Sequence, residues 1–97
     1  VKIRSISKLV EPNIQMMKIE LRNLDVISIY RSQSESLFRA THHLRNFVKP
    51  DKDTIVIGDL NYGANEVNDF SRYLMREGFT QLVTLPTHIR VCIEIDI

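Results

Sequence analysis

The residues best suited to chemistry are Asp59 and Asn61, in the run Gly58-Asp59-Leu60-Asn61. They follow a short apolar stretch, residues 54–57, that reads as a buried central strand covered on both faces. A strand of that kind ends at the edge of a sheet, and ligand sites of open α/β sheets lie at the carboxyl edge. Asp59 and Asn61 are two apart, so an extended backbone points both side chains the same way. The carboxylate can hold a metal ion or orient a water, and the amide can donate to a phosphate oxygen. Gly58 allows close approach of backbone or ligand. The same three residue types also serve plain strand-to-turn junctions for backbone reasons alone.

Other polar residues weigh less. His42 and His43 are adjacent on a predicted helix, about 100° apart, so they cannot form a facial metal pair and read as surface histidines. Met16 and Met17 read as strand packing rather than sulfur ligands. Cys92 lacks a clear histidine partner and reads as a packing residue. The spacing of Glu94 gives it no role as a replacement carboxylate. Arg90 has the fork to bind a phosphate, but a surface arginine is the default.

The chain has 97 residues, enough for one small domain. Apolar residues make up 43% and charged residues 26%, a globular composition. The net charge of +1 gives no basic excess to draw nucleic acid from a distance. A single cysteine excludes an internal disulfide and a thiolate zinc site, and fits a reducing compartment. No apolar run approaches the ~20 residues that span a bilayer, and residues 1–5 do not open a signal peptide. Both ends read as cut rather than finished.

The elements that must position Asp59 and Asn61 follow from periodicity. Residues 1–10 alternate loosely, a turn is expected at Glu11-Pro12-Asn13, and residues 14–21 read as a second strand. A hairpin turn at residues 22–25 leads to a β-rich strand at 26–30. Ser34 is placed as the cap of a helix whose stripe is Leu37, Thr41, Leu44 and Val48, widened by Phe38 and Phe47 and stopped before Pro50. After the strand at 54–57, a second helix runs from Asn65 through Val67, Phe70, Leu74 and Met75, closed by Gly78 as a left-handed cap. Residues 79–84 and 91–97 read as strands, separated by Pro86. The order is β-β-β-α-β-α-β-β, an α/β or α+β class with a mixed sheet and two helices.

Three blocks in this order resemble the endonuclease/exonuclease/phosphatase superfamily, especially the endonuclease-like proteins of mobile elements. Ile57 to Asn61 is similar to that family's Gly-Asp-(Phe/Leu)-Asn motif. Asp25-Val-Ile-Ser-Ile-Tyr-Arg-Ser32 resembles the strand that delivers its active-site tyrosine, and Gly78 to Arg90 the segment leading to its terminal Asp-His pair. The resemblance spans roughly residues 18–96. It implies that Tyr30 contacts the scissile phosphate, that Asp59 orients or activates the attacking water, and that Asn61 stabilises the transition state. It implies Asp96 as the aspartate of the terminal pair and His88 as a loop residue with a phosphate contact. Asp59 would be the metal-binding residue and Mg²⁺ the cofactor, with DNA as substrate and no membrane partner. The family's histidine after that aspartate is Ile97 here, which can neither exchange a proton nor polarise a phosphate. The family's metal-binding glutamate and a nearby asparagine belong to an N-terminal half, so the chain reads as a partial domain over residues 1–97, the C-terminal half of a two-sheet α/β sandwich. Groups of such a centre act as a unit. The expectation is a phosphodiesterase fragment, inactive alone, or else a catalytically inactive remnant or small interaction module. Exposed sheet edges would favour self-association. Cellular location is open, with an intracellular or nuclear setting compatible.

Overall fold

The computed structural model describes residues 2–62 and 66–81, together with the backbone of residues 91–96. The strands are β1 (Ser5–Glu11), β2 (Ile14–Glu20), β3 (Leu24–Arg31), β4 (Asp53–Asp59), β5 (Thr80–Gln81) and β6 (Val91–Asp96), with helices α1 (Leu37–Phe47) and α2 (Asp69–Arg76). Element order and class agree with the expectation from periodicity. They form one mixed sheet in the order β1-β2-β3-β4-β6-β5. Only β3 and β4 are parallel, joined through α1, and every other pairing is antiparallel.

Alternation along the strands divides the sheet into two unlike faces. Ile14, Met16, Ile27, Ile29 and Val56 turn to one side and are buried with Ala40 and Leu44 of α1 and Phe70, Tyr73 and Leu74 of α2. Among the described residues, the other face carries no helix. Across it run Ile6, Ile19, Val26 and Ile55 at matched register positions, with Met17 and Ile57 in the next row and Val10, Gln15, Tyr30 and Asp59 in the row after that. Ile6, Val10, Met17, Tyr30 and Ile57 are exposed there. Among the described residues β4 is therefore covered on one face, not on both, because α1 and α2 pack on the same side of the sheet.

The helix ends differ from expectation for local reasons. Ser36, not Ser34, caps α1, its hydroxyl accepting from the Arg39 N–H. α2 starts at Asp69 behind Asn68, whose side chain accepts from the Ser71 N–H while the Ser71 hydroxyl accepts from the Asn68 N–H. Asn65, the expected cap, lies outside the described residues, and Val67 precedes the helix. Gly78 does close α2 at φ 88°. Its N–H bonds the Met75 carbonyl and that of Phe79 the Leu74 carbonyl, which is a Schellman ending. β3 begins at Leu24 rather than Val26, since Asp25, expected in the turn, is a buried strand residue 2.5 Å from Lys52 Nζ. Of the strand expected at 79–84, Thr80–Gln81 are described as β5. His88, Arg90, Pro86 and Ile97 lie outside the described residues. Among the described residues no helix is long and apolar enough to cross a membrane.

Candidate functional site

The parallel pairing of β3 and β4 aligns Tyr30 with Asp59, the penultimate residue of one strand with the last of the other. Neighbouring strands are about 4.8 Å apart, so the two Cα atoms are immediate neighbours. Both side chains belong to the helix-free face, and Tyr30 is 44% exposed. Gly58 makes this contact achievable. A Cβ at that position would lie 1.8 Å from the Ile29 carbonyl oxygen, so the close approach it permits is to β3 backbone.

Asn61 joins the pair, but not by extended geometry. Its φ of 55° turns the chain into the left-handed region directly after β4. Its backbone N–H donates to Asp59 Oδ1 at 3.2 Å, and its Nδ2 donates to the Arg31 carbonyl at 2.6 Å. The amide expected to face a phosphate is thus directed at β3 backbone, and Asn61 holds the Asp59 carboxylate in place.

Arg31 completes the arrangement and was not singled out from sequence, although it continues the buried alternation Asp25, Ile27, Ile29. It is 5% exposed. Its Nε donates to the Leu60 carbonyl at 2.8 Å, one terminal nitrogen to the Glu35 carbonyl at 2.5 Å and the other to the Asn61 carbonyl at 3.3 Å. One guanidinium therefore ties the segment after β3 to the segment after β4. Burial pulls its proton affinity below the ordinary guanidinium value, against the favourable charges of Glu66, Tyr62, Glu35 and Asp59 around it. Leu60 points into the core, and Tyr62 packs on Phe70 with ring centroids 6.3 Å apart.

Asp96 does not come to this rim. In the antiparallel β4–β6 ladder Asp59 faces Val91, and Asp96 faces Thr54 at the other end of β4. Five residues of strand, roughly 17 Å, separate the two aspartate positions. Its expected role in a terminal Asp-His pair finds no support in this register. Glu94 faces Val56 and is likewise distant. The histidines also depart from expectation: His42 is exposed, but His43 is half-buried, with its Nε2 3.6 Å from Glu11 Oε2. Met16 is core, as expected of strand packing.

As a Mg²⁺ ligand Asp59 supplies one carboxylate. Among the described residues no three His, Cys, Asp or Glu side chains converge as a metal group. Mg²⁺ needs only one or two carboxylates, with waters and substrate oxygens completing its octahedron. Asp59 fits as a single ligand of that kind. Comparison with protein-family models, with curated proteins and with solved structures gives no match for this chain.

Proposed function

We propose that this chain carries part of a metal-dependent phosphodiesterase centre that hydrolyses nucleic-acid phosphodiester bonds, with DNA as the substrate. The observation that supports the reading is the register of Tyr30 beside Asp59, with Asn61 bonded to the Asp59 carboxylate. A carboxylate next to an exposed phenol, at the carboxyl end of two parallel strands, suits hydrolysis of a phosphate ester. Asp59 orients a water and takes its proton as the water oxygen bonds to phosphorus, while the bond from phosphorus to the leaving sugar oxygen breaks and that oxygen takes a proton from solvent. The Tyr30 hydroxyl donates to a non-bridging phosphate oxygen, where charge gathers. Asn61 and Arg31 act on the geometry, by fixing the segment that follows Asp59. A bound Mg²⁺ would neutralise phosphate charge, and Asp59 is the residue that would contact it. The helix-free face, with its rows of apolar side chains, suits cover by a second sheet or by another copy of the chain.

A second reading is favoured by the position of Asp96, about 17 Å of strand away from Asp59, and by Ile97 where a proton-handling residue is needed. On that reading the chain is a catalytically inactive remnant of such a centre. Nicking of supercoiled plasmid with and without Mg²⁺ separates the two. Metal-dependent nicking that is lost in Asp59→Asn and reduced in Tyr30→Phe supports an active centre. Absence of nicking with Mg²⁺, Mn²⁺ and Ca²⁺, together with no metal-dependent change at the Tyr30, Asp59 and Asn61 amides, assigns the remnant.

A further inference from the structure

Each helix carries a second stripe beside the one it buries in the core. On α1 it is Phe38, Thr41, His42 and Arg45, spaced i, i+3, i+4, i+7. On α2 it includes Arg72, Met75 and Arg76. The two stripes face each other across a groove of about 620 Å³. Phe38 and Met75, which sequence periodicity assigns to the core, are 71% and 70% exposed on this groove. The floor is otherwise quiet, since Thr41 is buried and its hydroxyl donates to the Leu37 carbonyl at 2.7 Å.

The charge around this apolar floor is predominantly positive. Arg45, Arg72 and Arg76 line it against a single acid, Asp69, which stands 4.0 Å from Arg72. Arg45 lies over the Tyr73 ring, 5.3 Å from its centroid, which holds its guanidinium at the rim. A whole chain of net charge +1 thus gathers three arginines at one groove. We propose that the groove between α1 and α2 docks an acidic amphipathic helix of a partner protein, its apolar residues on Phe38 and Met75 and its carboxylates on Arg45, Arg72 and Arg76.

Dimensions and chemistry select this occupant. Helices of 11 and 8 residues extend about 16 and 12 Å, which matches two to three turns of a docked helix. Methionine beside an aromatic side chain is an adaptable apolar seat for i, i+3, i+4 anchors. Arginine pairs bidentately with carboxylates. A single nucleic-acid strand would need a succession of stacking rings along the groove, and its lining offers two rings, Phe38 and His42, both on α1 and none on α2.

The test is fluorescence anisotropy on the full 97-residue chain, with three labelled probes. One is a 14-residue helical peptide with leucines at i, i+3, i+4 and i+7 flanked by glutamates. The second has lysines in place of the glutamates, and the third is a 12-nucleotide DNA strand. The glutamate peptide should bind at least about tenfold more tightly than the lysine peptide, and Arg72→Glu with Arg76→Glu should remove about that factor. Phe38→Ala should weaken it severalfold while far-UV circular dichroism stays unchanged, the side chain being exposed. Amide shifts on binding should centre on Thr41 and Met75. Equal binding of the two peptides, indifference to the arginine reversals, or shifts elsewhere would each overturn the proposal, as would DNA binding at the groove with no peptide binding.

Discussion

Replacing Arg31 by methionine keeps most of the side-chain volume and removes three donors. The Leu60, Glu35 and Asn61 carbonyls then lose partners at 2.8, 2.5 and 3.3 Å, the first two in buried surroundings. A buried acceptor left unsatisfied costs about 1–3 kcal/mol. Two such carbonyls give a loss of roughly 2–5 kcal/mol, since the long third bond adds little and relief of guanidinium burial offsets part. Against a domain stability of about 5–15 kcal/mol, that is a large fraction. Arg31→Lys restores one donor and should lose about half as much. Urea denaturation followed by circular dichroism gives the global change. Hydrogen exchange should show extra local opening at Leu60 and Asn61, because the guanidinium bridges two otherwise separate segments. A loss below about 0.5 kcal/mol in Arg31→Met, the range of inconsequential surface changes, with unaltered exchange at those amides, would refute the clamp and the reasoning that makes it the support of Asp59.

Two further outcomes follow from the same geometry. Gly58→Ala places a methyl 1.8 Å from the Ile29 carbonyl oxygen, so β3 and β4 must part, and the denaturation midpoint should drop by an amount equivalent to about 2–4 kcal/mol. Unchanged stability would mean that the strands are not so closely paired. At the opposite end of the sheet, the side-chain hydrogen bond from Lys49 holds the Glu20 carboxyl at about 2, down from 4.5, with help from Ser5 and Lys18. A depressed folded value stabilises the fold above the unfolded value, so stability should fall as pH drops from 4.5 towards 2. Lys49→Ala should flatten that part of the profile, and an identical slope in wild type and variant would contradict the pairing.

How far the sequence determines this architecture can be judged residue by residue. The full element order is legible because the helices keep a 3.6 period and the strands either alternate or, as in residues 54–57, form a short apolar run. The caps are less so. Ser34 and Ser36 are equivalent by type, and it is the Ser36 hydroxyl that accepts from the Arg39 N–H. Phe38 and Met75 follow helical spacing yet stay exposed, because the two helices bury adjacent stripes rather than these ones. The alignment of Tyr30 with Asp59 comes from parallel pairing across a helix, which no local pattern encodes. The same holds for Asp96, whose place opposite Thr54 depends on how β6 enters beside β4. By type Asn61 offers an amide to a phosphate, but its left-handed backbone redirects that amide to β3. Arg31 was within reach of the alternation rule. A charged residue in phase with buried isoleucines signals a structural clamp only once its acceptors are known.

On the proposed function, Tyr30, Asp59 and Asn61 form one rim that handles a divalent ion and phosphate together. Titrating Mn²⁺ into the ¹⁵N-labelled chain, with and without a dinucleotide phosphodiester, reads this directly from paramagnetic line broadening. Broadening that starts at the Tyr30, Asp59 and Asn61 amides, grows with the phosphodiester and vanishes in Asp59→Asn is the predicted result. Broadening that centres on other acidic residues, or that persists unchanged in Asp59→Asn, would contradict it.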